Sequence, residues 1–344
     1  MKILLPYNCT LGKGFNDPRV VGGIEKFCHS IHQSFDDVIV LDINEPKDFN
    51  KSTELIKKTA LEHDVDIVIC NWIQASFAGA KIVDIPFPML VVCHENSSML
   101  STLAKFYRLQ ECGHSVYLMS EYQKTKYDMM AKRTNAKLVE FDGYINSGYL
   151  TGDKPKLVEP EYDCCTIGRC DPRDKKPFLM KTLLKDTEVK NLLMTNTPNF
   201  KSDITCKPYY RKNKHWEDTL WDLPYKDVME NLSKSKTFFQ TWWNETFGLT
   251  SLEALSHGIP IIANSKNNVH ASNMIPASPF HYKNITFNCK EELIDAINSF
   301  DDIDRKEIQD MTWEKHTHKK WKTNFENAMV KTIDTFHKKR KILL

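Results

Sequence analysis

At 344 residues, 41% of them hydrophobic and 27% charged, the chain can bury two cores of ordinary size and is too apolar to be disordered. Its formal net charge of +2, from 47 basic and 45 acidic side chains, declares no polyanionic partner. The apolar run at residues 3–5 is too short for a secretory signal, and no stretch is long enough to span a bilayer, which argues against a secreted or integral membrane protein.

Ten cysteines, isolated or on apolar segments, show neither the paired spacing of a zinc site nor the density of a disulfide framework. A cytoplasmic protein with reduced thiols is expected. In the first half, strand-like runs at residues 3–7, 38–42, 66–70, 89–93, 115–119 and 137–141 alternate with helical spacing over 23–35, 51–63, 101–112 and 121–134. Short β-rich runs separated by helices predict a parallel sheet covered on both faces, a Rossmann-like domain. Ligands of such sheets bind beyond the carboxyl ends of the strands. The first of those loops ends in Gly22-Gly23-Ile24-Glu25 at the start of a helix, where bare amides suit a phosphate or sugar oxygen and glycines serve a tight turn equally well. Gly12-Lys13-Gly14 has neither a dinucleotide fingerprint nor Walker A spacing. His94 and Glu95 follow the run at 89–93, at the carboxyl end of a central strand.

In the second half, residues 162–167 read as a strand, followed by Gly168-Arg169 and, six residues after the arginine, Lys175, before a helix from about Lys176. That loop suits a diphosphate, the arginine gripping bidentately and the lysine supplying a point charge, although charged turns are common. Residues 207–216 interleave basic and aromatic side chains, the pattern of an exposed loop anchored by its aromatics or of a surface for a nucleic-acid strand. Trp242-Trp243 offers packing or a platform beneath acceptor or base. A buried strand is expected at 236–241. After it comes Glu245-Thr-Phe247-Gly248-Leu249-Thr250-Ser-Leu-Glu253, then Ala254-Leu255-Ser256-His257-Gly258-Ile259-Pro260. Leu249, Leu252 and Leu255 fall on one helical face from about Gly248; Gly258 ends the helix and Pro260 prevents its resumption. An acid beside a helix N-terminus complements the dipole, but that does not explain Phe247-Gly248, where a missing side chain lets a ligand approach the backbone.

These residues resemble the Glu-x7-Glu motif of retaining glycosyltransferases of the GT-B fold, most closely glycosyltransferase family 4. The resemblance implies an α/β protein of two Rossmann-like parallel-sheet domains facing across a cleft. Residues 1–150 would be the acceptor-side domain and 160–312 the nucleotide-sugar domain, with 313–344 a helix crossing back to the first. It implies catalytic roles for Glu245, His94, Arg169 and Lys175: Glu245 and His94 at the donor sugar, the cations on the diphosphate. Glu253 would bind the ribose, and Gly22, Gly23, Phe247, Gly248, Leu249 and Thr250 would complete the donor site. The family often has glycine after its lysine; Lys176 stands there, which leaves open which lysine binds the diphosphate. The donor implied is a UDP-sugar, transferred with retention and without a metal. The expected acceptor is a glycan or a lipid-linked sugar. A DNA acceptor is the alternative, as in viral enzymes that glycosylate hydroxymethylated bases, and a nucleotide-sugar epimerase or inert binder is a third. Oligomeric state has no signature in the sequence.

Overall fold

The structure is a computed structural model and describes residues 1–7, 15, 23–43, 49–71, 85–94, 100–146, 148–172, 175–198, 206–242, 245–265 and 275–343. The chain forms two compact units, Met1–Tyr149 with His318–Leu344, and Leu150–Thr317.

The first unit holds strands β1 (Ile3–Tyr7), β2 (Val38–Asp42), β3 (Ile67–Asn71), β4 (Met89–Cys93), β5 (Ser115–Leu118) and β6 (Gly143–Tyr144), in the spatial order β2-β1-β3-β4-β5-β6. All pairings are parallel, and β1, β3, β4 and β5 are buried at every position, as continuous apolar runs in a doubly covered sheet require. Helices α1 (Gly23–Ser34), α2 (Phe49–Glu62), α3 (Leu100–Glu111) and α4 (Glu121–Arg133) alternate with them. Leu4, Val68, Val91 and Val116 meet Phe106 of α3 and Tyr127 of α4 in one core.

The expected strand at 137–141 does not form. The Asp142 carboxylate accepts the Val116 N–H at 2.8 Å, the donor a ladder would have used, and pairing with β5 begins only at Gly143. Val139 is still buried in the core, so the apolar residues of this segment serve packing without a ladder.

A final helix, α11 (His318–Leu343), belongs to this unit. Trp321, Phe325, Ala328, Met329, Thr332 and Phe336 are buried at three- and four-residue spacing, one stripe of a 3.6-residue period. Phe325 packs against Phe27, Phe35 and Trp321. Its basic residues do more than face solvent: Lys331 donates to the Asp142 carbonyl, Lys339 to that of Gln110 and Arg340 to that of Ile85. The sequence suggests one helix from about Trp313; the structure has two helices. Helix α10 (Arg305–Lys315) ends at His316, whose carbonyl accepts the Leu150 N–H at 3.0 Å beside a Leu150–Thr317 bridge. Residues 313–317 therefore belong to the second unit.

The second unit holds β7 (Tyr162–Ile167), β8 (Asn191–Thr195), β9 (Thr219–Trp221), β10 (Ser235–Gln240), β11 (Ile261–Asn264) and β12 (Tyr282–Ile285), ordered β12-β11-β10-β7-β8-β9 and again parallel throughout. Its helices are α5 (Leu179–Leu183), α6 (Cys206–Asn213), α7 (Tyr225–Ser233), α8 (Leu249–Ser256), α9 (Lys290–Asn298) and α10. Helix α8 is fastened at its carboxyl end, where four carbonyls lack helical partners. Gln309 and Trp313 of α10 both donate to the Ser256 carbonyl. The Arg305 guanidinium reaches the carbonyls of Gly258, Val158, Ser233 and His257. Among the described residues no helix is long and apolar enough to cross a membrane.

Candidate active site

The motif around Glu245 sits at the carboxyl edge of the second sheet. Strand β10 ends at Gln240, the chain runs outward through Thr241 and Trp242, and Glu245 returns it to Gly248, which caps α8 in the left-handed region at φ 96° and ψ 63°. An L side chain rarely adopts that conformation, so the glycine is required by the backbone as well as by any ligand that approaches it. The first amides of α8, from Leu249 onward, are therefore presented where an anion is favoured. Phe247 is buried at 5% exposure, so its ring anchors the turn to the core.

Glu245 accepts a charge-assisted hydrogen bond from Lys175, which arrives from the loop after β7. The Lys175 carbonyl in turn accepts the Thr241 hydroxyl at 2.6 Å, so both ends of this residue are fixed to the β10 loop. Lys176 has φ 42°, the left-handed conformation in which glycine is favoured, and its ammonium lies over the Phe287 ring at 5.7 Å. The two lysines are thus directed to different surroundings, and only Lys175 is paired with Glu245. Arg169 lies exposed just beyond β7. Glu253, one turn along α8, accepts the Tyr225 hydroxyl at 2.8 Å.

Gln240 has no warning in the sequence beyond being polar at the end of an apolar strand. It is 4% exposed, its amide nitrogen lies 3.3 Å from the Glu245 carboxylate, and its oxygen accepts Ser251 at 3.3 Å and Thr250 at 3.4 Å. The amide thereby joins Glu245 to the first turn of α8, and the Thr250 hydroxyl is turned toward it.

In the first unit, Gly23 opens α1, and one turn later Phe27 packs edge-on against His94 at 4.7 Å, bringing α1 and the carboxyl end of β4 together. Gln123, fully buried, donates to the Cys93 carbonyl and accepts the Met119 N–H, tying the ends of β4 and β5. Gly22 and Glu95 lie outside the described residues, as does Trp243. The His94 Nε2 is enclosed, and burial pushes its pKa down to about 3. The unfolded chain binds a proton there near pH 6.5 and the folded chain does not, so stability is lost as pH falls from about 6.5 toward 3. Unfolding titrations between pH 6.5 and 4 are expected to show a shallower slope in His94→Leu than in the native chain; equal slopes would deny His94 this role.

The basic-aromatic segment at 207–216 is largely helical. Tyr209 packs on Phe178, Tyr210 on Trp221, and Trp216 donates to Asn213, while Lys207, Arg211, Lys212 and Lys214 remain exposed. Its aromatics are directed into the core of the unit, and stacking on a nucleic-acid strand would require them outside it. Among the described residues no group of three or more His, Cys, Asp or Glu side chains is gathered as a metal ion would require.

No family model matches the chain, and no curated protein matches it in sequence. Solved structures do. The lipopolysaccharide outer core galactosyltransferase WaaB, in its apo form, superposes with a TM-score of 0.65 at 17% identity, over 96% of this chain and 99% of that one. Anabaena HepE in complex with UDP and glucose gives 0.67 at 13% identity over 96% and 99%. A glycosyltransferase from Rickettsia africae gives 0.66 at 13% over 96% and 98%. The chain has the GT-B fold. The carboxyl edges of both GT-B sheets carry residues singled out by the sequence: Gly23 and His94 in the first unit, and Arg169, Lys175, Glu245 and Glu253 in the second. Within the second unit the structure joins Lys175 to Glu245 directly.

Proposed function

We propose that this chain is a retaining, metal-independent glycosyltransferase that moves a sugar from a UDP-sugar to a hydroxyl of a glycan or a lipid-linked sugar. The observation that carries the reading is the pairing of Lys175 with Glu245 in the loops before α8, the helix that bears Glu253. One basic group suited to a diphosphate, one acid suited to sugar hydroxyls and a helix N-terminus are there held by common neighbours.

The difficult event is departure of a nucleotide diphosphate while positive charge grows on the sugar. Lys175, Arg169 and the first amides of α8 stabilise the leaving anion where its charge develops. Binding of the diphosphate gives Lys175 a second anion, which frees Glu245 to accept hydroxyls of the sugar. Glu253 accepts those of the ribose. The acceptor oxygen bonds to the anomeric carbon on the face from which the diphosphate oxygen leaves, and that oxygen takes the acceptor's proton. His94 is held neutral by burial and so brings no charge to the carboxyl end of β4. None of the nine described cysteines is in a disulfide. A glycan or lipid-linked acceptor is preferred to DNA because the aromatics of 207–216 pack inward.

The test is a screen of UDP-sugars with EDTA present, following UDP. Slow UDP release by hydrolysis, accelerated by an acceptor, is expected; an inert binder releases none, and an epimerase returns an altered UDP-sugar. Activity abolished by EDTA would overturn the metal-independent mechanism.

A further inference from the structure

We propose that Asn264 is a positioning residue of the donor site, setting Lys175 in place for the diphosphate through Thr241. This rests on the reading of Lys175 as a diphosphate ligand.

Asn264 is the last residue of β11 and is fully buried, a place where an amide is uncommon unless its polar atoms are used. Its Oδ1 accepts the Asn288 N–H at 2.8 Å. Its Nδ2 donates to the Asn288 Oδ1 and to the Thr241 carbonyl, each at 3.1 Å. Turning the amide over would set its oxygen against two other oxygens, so only one orientation satisfies these partners. Asn288, in the loop after β12, has φ 60°, the left-handed region that asparagine tolerates better than most residues. The two asparagines therefore exchange a pair of hydrogen bonds, and the remaining N–H of Asn264 is directed at Thr241.

Thr241 follows β10 and is 4% exposed. With its carbonyl held by Asn264, its hydroxyl donates to the Lys175 carbonyl at 2.6 Å. Strands β12, β11, β10 and β7 are neighbours in that order, so the relay from Asn288 to Lys175 crosses four adjacent carboxyl ends. A second link is independent of it. The ring of Phe287, next to Asn288, lies beneath the Lys176 ammonium at 5.7 Å. The loop after β12 thus meets the loop after β7 twice, once directly and once through Asn264 and Thr241.

A lysine depends on such support. Its ammonium ends a flexible four-carbon stem, so where it reaches is set by where its backbone is fixed. Lys176 beside it is held at φ 42°, a conformation that a residue with a side chain keeps only where its surroundings impose it. The hydrogen bond from Thr241 supplies part of that constraint. With the backbone held, passing from Glu245 to a diphosphate requires motion of the Lys175 side chain alone.

Titration of the full-length chain with UDP, run well below each variant's thermal midpoint, tests this. Thr241→Val keeps the shape of the residue and removes the hydroxyl; it is expected to weaken UDP about fivefold, the loss of one net hydrogen bond. Thr241→Ser, which keeps the hydroxyl, is expected to restore native affinity. Asn264→Ala is expected to lose as much as Thr241→Val. Should it not fold, Asn288→Gly is unstrained at φ 60° and removes the oxygen that orients the Asn264 amide, and about a threefold loss is expected of it. In a Lys175→Ala background none of these substitutions is expected to weaken UDP further, whereas a merely structural role would lower affinity again. Native UDP affinity in Thr241→Val, in folded Asn264→Ala or in Asn288→Gly, with Lys175→Ala impaired, would overturn the inference alone. So would a further loss in the Lys175→Ala background, or equal losses in the Ser and Val variants at 241. Undiminished UDP binding in Lys175→Ala would remove the diphosphate reading and this inference with it.

Discussion

Glu245→Gln is expected to lower turnover of a UDP-sugar by about 10²–10³-fold, the range seen when one preorganised polar contact to a reacting group is removed, while UDP affinity holds or rises. The split follows from the pairing in the structure. Lys175 and Glu245 are joined before any donor arrives, and both are partly shielded, with 27% and 14% of their side chains exposed. A diphosphate must compete with that carboxylate for the ammonium. Replacing the acid with its neutral isostere removes the competitor, so the diphosphate gains, yet the sugar loses the group that orients it. Gln240 would still reach residue 245, so the loop keeps its shape. A residue with a purely structural role would depress affinity and turnover together, and such a parallel loss in kinetic and calorimetric measurements would deny Glu245 its part. Lys175→Ala is expected to weaken UDP itself, and the double variant to lose less than the sum of the singles, because the two groups are in contact.

Gly258→Ala is expected to destabilise the second unit by about 3 kcal/mol, combining a left-handed backbone penalty with an overlap that cannot relax cheaply. The residue has φ +72°, and a Cβ there would lie 2.3 Å from the Arg305 carbonyl oxygen and 3.0 Å from its carbon. These are backbone atoms of α10, the helix whose Arg305, Gln309 and Trp313 hold the end of α8. A shift of α10 would loosen α8, and with it the spacing of Glu253 from the β10 loop. For a unit of this size the thermal midpoint should fall by about 10 °C. Calorimetry showing a loss below about 2 °C would mean that α10 yields without penalty, and that α8 is not positioned through it.

Much of the architecture is legible because the sequence is locally consistent. The runs at 3–7, 38–42, 89–93 and 162–167 are bounded by turn residues and become strands over those spans. The segment at 137–141 fails for a reason no periodicity could show: a side chain 26 residues from Val116 takes the N–H that a ladder needs. The long terminal helix is misread for a similar reason. Residues 305–343 have helical spacing on both sides of His316, and the break comes from a hydrogen bond to Leu150, distant in sequence.

The site divides in the same way. Glu245, Gly248 and Glu253 are visible as a pattern, and Gly248 is needed for its conformation as much as for access. Lys176 is informative in hindsight: it occupies a left-handed position where a glycine would be unstrained, and its side chain turns to Phe287. Phe247 is read from the motif, and the fold adds that its apolar ring is buried. Gln240 and Tyr225 leave no trace in sequence because their parts depend on partners 5–28 residues away that only the fold brings near. The inward aromatics at 209 and 210 depend likewise on which face of α6 meets the core.

A crystal structure of the chain with UDP tests the central claim most directly. The account predicts the diphosphate against the first amides of α8 within hydrogen-bonding reach of Lys175 and Arg169, with the ribose hydroxyls on Glu253. UDP bound at another edge of the sheet, or no UDP bound at millimolar concentration, would contradict it.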